Sequence, residues 1–139
     1  MNEKTMPHNI DAEKSVLGSM FLSKYALQKA IESLNKELFY LDSHAKIFET
    51  IKNLREKLIS IDLTTVTEEL ENKKLLKQIG GVEYLTELIN FVPTAANIDE
   101  YIRIVNEKAI LRRLIEEATQ IVSSGYNQEE DINEVLDNA

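Results

Sequence analysis

The chain has no cysteine, only 2 prolines and 4 glycines in 139 residues, and more acidic than basic side chains. Without cysteine there are no disulfides and no thiolate metal ligands, and nothing argues for export to an oxidising compartment. No apolar run approaches the ~20 residues that would span a bilayer. The start, Met1 to Pro7, has no apolar signal core, so a cytoplasmic protein without a membrane partner is expected. Lys and Arg number 16 against 24 Asp and Glu, for a formal net charge of -8. That balance weighs against a direct grip on nucleic acid, where counterion release needs cations facing the polymer. Arg112 and Arg113 are the only adjacent arginines. An acidic surface suits basic partners, or partners met through apolar contacts. There is no Gly-x-x-x-x-Gly-Lys-Ser/Thr phosphate loop and no Gly-x-Gly-x-x-Gly, so nothing here is built to hold a nucleotide cofactor.

What is present suits one compact, helical domain. Hydrophobic residues make up 43% and charged residues 29%, enough to bury a core and unlike a disordered acidic tail. With so little Gly and Pro, long segments run uninterrupted, and most repeat at helical spacing. A first helix is predicted after the N-cap Asn9, with Asp11 and Glu13 near the positive end of its dipole. Ala12, Val16, Leu17 and Met20 form its apolar face. A second helix is predicted over about 25–34, with Leu27, Ile31 and Leu34 in register. Asp42-Ser43 can cap a third, bearing Ile47, Phe48, Ile51 and Leu54. Thr64 to Thr67 is β-branched, which favours a strand. Yet Asp62 suits an N-cap and Leu63, Val66 and Leu70 recur at helical spacing, so a helix is expected. Gly80-Gly81 marks a turn, and a short helix over 82–90 carries Leu85, Leu88 and Ile89.

The longest helix is predicted from about Asn97 to about Ser124, opened by a capping box from Asn97 to Glu100. Gly125 suits a left-handed close, with Tyr126 folding back on Ile121. A last helix starts near Asp131 and carries Ile132, Val135 and Leu136. It meets Ala139 with no stop signal, so the chain is expected to be a piece of something longer or to end in a frayed helix.

The apolar stripe of the long helix changes sides. At ~100° per residue, Ile98, Tyr101, Ile102, Val105 and Ala109 share one face. Ile110, Leu111, Leu114, Ile115, Ala118, Ile121 and Val122 lie on roughly the opposite face, with Ile104 an exception. Both halves cannot bury against one flat neighbour. The first half should pack on the globular body. The second half should leave it and pair with the last helix or another subunit. This predicts an all-α fold: a globular bundle over 1–96 with a flexible leader 1–8, then a truncated helical hairpin over 97–139. An unpartnered hairpin is a poor core, so self-association is expected.

Catalytic and metal constellations are missing. The chain has 2 His, and neither has Glu-x-x-His spacing. His8 falls in the leader. His44 falls in the first turn of a helix and reads as structural. Glu68-Glu69, Glu116-Glu117 and Glu129-Glu130 are sequential and splay around a helix, so they read as solvated surface rather than a catalytic pair. Tyr84 has two readings, a partly buried core residue beside Leu88 and an interface anchor after a Gly turn.

Taken in order, these residues resemble the N-terminal domain of the bacterial DnaB-type replicative DNA helicases. The likeness runs from Pro7 to the chain end. It includes Pro7-x-Asn9-Ile10-x-Ala12-Glu13-x-x-Val16-Leu17-Gly18, then Phe39-Tyr40 with His44 and Ile47-Phe48. It continues through Ile61-Asp62-Leu63-x-Thr65-Val66, Gly80-Gly81-x-x-Tyr84-Leu85 and Pro93-Thr94-Ala95-Ala96-Asn97, to Lys108-x-x-Leu111-Arg112-Arg113-Leu114-Ile115. The resemblance implies a collar domain without catalytic residues, above an ATPase ring. Hairpins pair protomers into dimers, and three dimers close a hexamer. ATP and magnesium belong to the ATPase domain, which lies beyond residue 139. The collar recruits primase through that enzyme's C-terminal helicase-binding domain, and helicase loaders also interact with the family. Primase contacts fall near positions matching Tyr84, Ile115 and Ile121. Leu111, Leu114, Ala118, Val122, Ile132, Val135 and Leu136 would form the hairpin and dimer interface. For Ile115 and Ile121 the bland alternative is packing within the hairpin. An acidic helical domain from the primase side, whose helicase-binding domain has a related fold, is the second reading. A small helical enzyme is the third, disfavoured because no convergent titratable cluster is visible.

Overall fold

The computed structural model describes residues 5–127 and 131–138, except the side chain of Val135. Among them every regular element is helical: α1 (Ile10–Leu22), α2 (Lys24–Ser33), a 3-10 turn (Lys36–Leu38), α3 (Asp42–Glu56), α4 (Leu63–Asn72), α5 (Leu76–Ile79), α6 (Gly81–Phe91), α7 (Ile98–Tyr126) and α8 (Ile132–Asn138). The segment of β-branched residues is helix α4, as its capping signal required. Asp62 accepts from the Thr65 amide at 2.9 Å, and the Thr65 hydroxyl accepts from the Asp62 amide at 3.0 Å. These bonds satisfy donors that a strand would have used in a ladder.

α1 is the hub, packing against α2, α3, α6 and α7. Asn9 caps it as expected, accepting from the Ala12 amide at 2.8 Å. It does not have a single apolar face, however. Ala12, Val16, Leu17 and Met20 are buried, and so are Glu13, Ser15, Gly18 and Ser19. A helix with neighbours on several sides must be buried nearly all round. Gly18 is needed for this, because a Cβ there would stand 2.2 Å from the Leu88 carbonyl oxygen of α6. Val16, Leu17, Ile47, Phe48, Ile51, Val66, Leu70, Leu85 and Leu88 complete a continuous core. Each such side chain contributes ~1.5–3 kcal/mol by burial.

Several expected local signals are replaced by others. The capping box at Asn97 is not formed, because Asn97 makes no side-chain cap bond. Glu100 is taken instead by Arg103, one turn ahead, through Nε at 2.8 Å. That pairing holds the Glu100 carboxyl below its ordinary range, chiefly through the hydrogen bond. Gly125 is not left-handed; it lies inside α7, and Tyr126 is exposed rather than folded on Ile121. The Schellman closes occur elsewhere, on residues that are not glycine. Leu58 (φ 61°) ends α3, with the Ile59 amide on the Leu54 carbonyl at 3.0 Å. Lys74 (φ 59°) ends α4, with the Leu75 amide on the Leu70 carbonyl at 2.8 Å. Both pairs bring together the apolar residues that such a close prefers.

Candidate functional site

The stripe that changes sides decides where α7 stops being core. Ile98, Ile102, Val105 and Ala109 are buried, and Arg112 continues their register. From Arg113 to Ser123 every residue is exposed. Leu114 is 63% exposed, Ile115 41%, Ile121 44% and Val122 58%. Leu111 and Ala118 are exposed as well. α8 touches α7, yet Ile132 and Leu136 remain exposed. The arm therefore presents large apolar side chains to solvent. Val135, expected beside them, has its side chain outside the described residues, as does the pair Glu129-Glu130.

Arg112 sets the point of departure. Its guanidinium donates to the Pro7 carbonyl and to the Leu38 carbonyl, each at 2.8 Å, and lies 5.6 Å from the Tyr40 ring centre. His8 stacks on the same ring at 4.2 Å. Pro7 and His8 were expected in a flexible leader; these contacts hold them against α7 and the entry to α3 instead. Arg112 faces inward, so the two adjacent arginines do not make a surface cation pair.

The second group centres on Tyr84. Gly80 ends α5 with φ 108°, a left-handed conformation natural to glycine. A Cβ there would lie 2.8 Å from that of Tyr84, so the turn also makes room for the tyrosine. Tyr84 is half-buried, as the reading of a partly buried core residue expected. Its hydroxyl meets Nε2 of His44 in a short hydrogen bond. Nδ1 of His44 lies 2.7 Å from Oε1 of Glu13. Glu13 in turn accepts from the Tyr40 amide at 2.6 Å and the Leu41 amide at 3.4 Å. Because Glu13 accepts, Nδ1 of His44 carries a proton, and in the neutral imidazole Nε2 then accepts from the phenol. Burial pushes the Tyr84 phenol up to about 12, with Glu87 and Glu13 adding smaller effects. His44 is fully enclosed, so this chain of bonds holds side chains in place and offers no reacting atom to a substrate.

Glu13 sits in the first turn of α1, as expected, but it does more than serve the dipole of that helix. It is 2% exposed and receives the amides at the entry to α3, where neither Asp42 nor Ser43 makes the cap. Asp42 pairs with Lys46 at 2.8 Å. A carboxyl among apolar neighbours on α1, with a histidine elsewhere, was the available signal. α1 packs against both α6 and α7, so it backs both Tyr84 and the base of the arm. Ile115 and Ile121 lie beyond that base, on an element separate from Tyr84. Among the described residues no cluster of His, Asp and Glu could hold a metal, and no helix is long and apolar enough to cross a membrane.

Comparison with known proteins gives the same picture. The family model for the DnaB-like helicase N terminal domain matches residues 5–107. Replicative DNA helicase DnaC of Bacillus subtilis (strain 168) is 47% identical over 139 residues, all of this chain and 31% of that relative. Replicative DNA helicase DnaB of Geobacillus stearothermophilus is 47% identical over 138 residues, 99% of this chain and 30% of the relative. The crystal structure of the N-terminal domain of DnaB helicase from Mycobacterium tuberculosis superposes with a TM-score of 0.92 at 43% identity. It is covered over 94% of its length by 96% of this chain. A DnaB-like replicative helicase, described with its interactions with primase, superposes at 0.77 and 29% identity, over 94% of this chain and 30% of that one. The chain thus spans about a third of the curated relatives' length. These matches favour the helicase side over an origin in primase. With the family matched over most of its length and the all-helical fold shared with a solved N-terminal domain, the chain belongs to the DnaB-like helicase N-terminal domains.

Proposed function

We propose that this domain is a non-catalytic collar of a replicative helicase, which pairs with further copies and docks primase. The observation that carries the reading is the unpartnered apolar arm beyond Arg112. Exposed Leu, Ile and Val at helical spacing suit a helix–helix seam or an apolar partner. Leu111, Leu114, Ala118 and Val122, with Ile132, Val135 and Leu136 of the last helix, would form the pairing seam, and dimers would build a hexamer. Tyr84, Ile115 and Ile121 would meet the C-terminal helicase-binding domain of primase. The structurally similar DnaB-like helicase described with its primase interactions supports that partner. The division of labour would follow the two parts expected from sequence, a body over 1–96 and a hairpin subdomain over 97–139, with the part of α7 beyond Arg112 free to pair. A helicase loader is a further partner of the same collar. ATP and magnesium would serve the ATPase domain of the parent protein, acting at the replication fork in the cytoplasm. The acidic balance assigns this domain no nucleic-acid grip of its own.

The test is the molar mass of the purified domain by light scattering across concentration, with and without the cognate primase C-terminal domain. Self-association and a stable complex are expected. Ile121→Asp should weaken primase binding by at least ~2 kcal/mol, a hot-spot effect. A folded Ile121→Asp protein with unchanged affinity would remove Ile121 from the surface. A monomer that binds nothing would overturn the whole reading.

A further inference from the structure

We infer that Glu13 and His44 are positioning residues for docking, holding Tyr84 so that it presents its ring, and not a free hydroxyl donor, to the partner. The inference rests on the docking role of Tyr84 proposed above, and deepens it. Three observations carry it.

First, the hydroxyl already has a destination. A phenol has one proton to donate, and a neutral imidazole that gives Nδ1–H to Glu13 takes it on Nε2 of His44. A partner that needed a donor from Tyr84 would have to break that bond. Second, the acceptor cannot swing away to release it. His44 is 0% exposed, its Nδ1 is held 2.7 Å from Glu13, and Glu13 is itself pinned by the Tyr40 and Leu41 amides. The His44–Glu13 link is buried and the bonds to Tyr84 and to the two amides are part-buried, so the centre of the chain is strong while intact and costly to leave open. Third, the imidazole also sets the plane of the ring. The two rings lie nearly parallel, 16° apart with centroids separated by 5.8 Å. Gly80 itself supplies no side chain against the tyrosine, so it lends the ring no orientation, and the bond to His44 holds the hydroxyl end.

The chemistry of the partner follows. The group opposite Tyr84 meets a fixed aromatic surface, so it is an apolar side chain filling the space against the ring rather than a hydrogen-bond acceptor seeking the phenol. Fixing the ring before contact removes rotamer entropy that docking would otherwise cost.

The experiment is a double-mutant cycle on the intact domain, read as affinity for the cognate primase C-terminal domain. Tyr84→Ala is measured first. His44→Asn keeps a donor for Glu13 but no longer reaches Tyr84, and Tyr84→Phe removes the other end of the same bond. Each single change should weaken binding by about fivefold, and the double variant should be no weaker than either single one, as expected of groups acting as a unit. If the two effects multiply, or if Tyr84→Phe is far more damaging than His44→Asn, the positioning inference falls while the docking surface stands. If Tyr84→Ala binds as well as the parent, the docking role of Tyr84 falls and takes the inference with it. Should His44→Asn fail to fold, Glu13→Gln replaces it in the cycle. Its loss must likewise vanish in the Tyr84→Phe background, and persistence of that loss overturns the proposal.

Discussion

Glu13 on α1 and Tyr84 on α6 are joined through one imidazole, His44 on α3, so three helices share a single line of hydrogen bonds. The same carboxyl receives the amides that lead into α3. Removing it strands several donors at once.

Glu13→Ala should therefore destabilise the domain by at least ~3 kcal/mol, the scale seen when one partner of a buried charged network is removed. Urea unfolding of parent and variant measures it. A loss below about 1 kcal/mol, on the scale of a surface contact, would mean that water replaces the carboxyl without strain.

Two glycines should respond in opposite directions. Gly18→Ala drives a methyl group to 2.2 Å from the Leu88 carbonyl oxygen, and α1 must separate from α6 at a cost of ~2 kcal/mol or more. Gly125 has nothing within 4 Å of a built Cβ, and it lies inside α7. Gly125→Ala should strengthen the end of that helix by ~1 kcal/mol. Thermal unfolding reads the first, and amide exchange along α7 reads the second.

Leu58 is the reverse case, a side chain where glycine fits better. It sits at φ 61° and is 94% exposed. Leu58→Gly gives up little packing and relieves the left-handed strain, so it should stabilise by ~1 kcal/mol. Lys74→Gly, at φ 59°, should behave alike. A shift of both unfolding midpoints to lower denaturant would contradict the cost assigned to these conformations.

Alkaline titration should carry a signature of Tyr84. Its folded value, about 12, lies above the ordinary 10.0. A raised value means that the folded protein holds this proton more tightly than the unfolded chain. The associated stability is complete below pH 10 and is lost as pH rises from about 10 to about 12. Tyr84→Phe should lose less stability than the parent across that window. Parallel curves for the two proteins between pH 9 and pH 12 would show that the phenol is not shielded by its surroundings.

Much of the architecture was legible because it rests on neighbours in the chain. Asn9 and Asp62 each meet an amide three residues ahead, a geometry that spacing alone specifies. The apolar registers of α3 and α4 likewise appear as buried faces, with Ile47, Ile51, Val66 and Leu70 at full burial. So did the switch of stripe in α7, since buried positions end with Arg112 and the exposed run begins at the next residue. Asn97 and Gly125 failed as signals for a physical reason. A cap residue reports a possible bond, and Glu100 had a nearer cation in Arg103. A glycine permits a left-handed close without requiring one, while Leu58 and Lys74 adopt it under the pull of the contacts around them.

The sequence by itself determined the longer helices, most of their faces and the arm that leaves the body, because each follows from periodicity over a few turns, whereas the short turns at Lys36–Leu38 and Leu76–Ile79 carry too few residues to show one. Only the tertiary structure decided that Glu13 looks inward to His44, that Arg112 clasps Pro7 and Leu38, and that Gly18 admits the backbone of α6. Those relationships join residues on different helices. Their distances are set by how whole helices cross, and a crossing leaves no periodic trace along the chain.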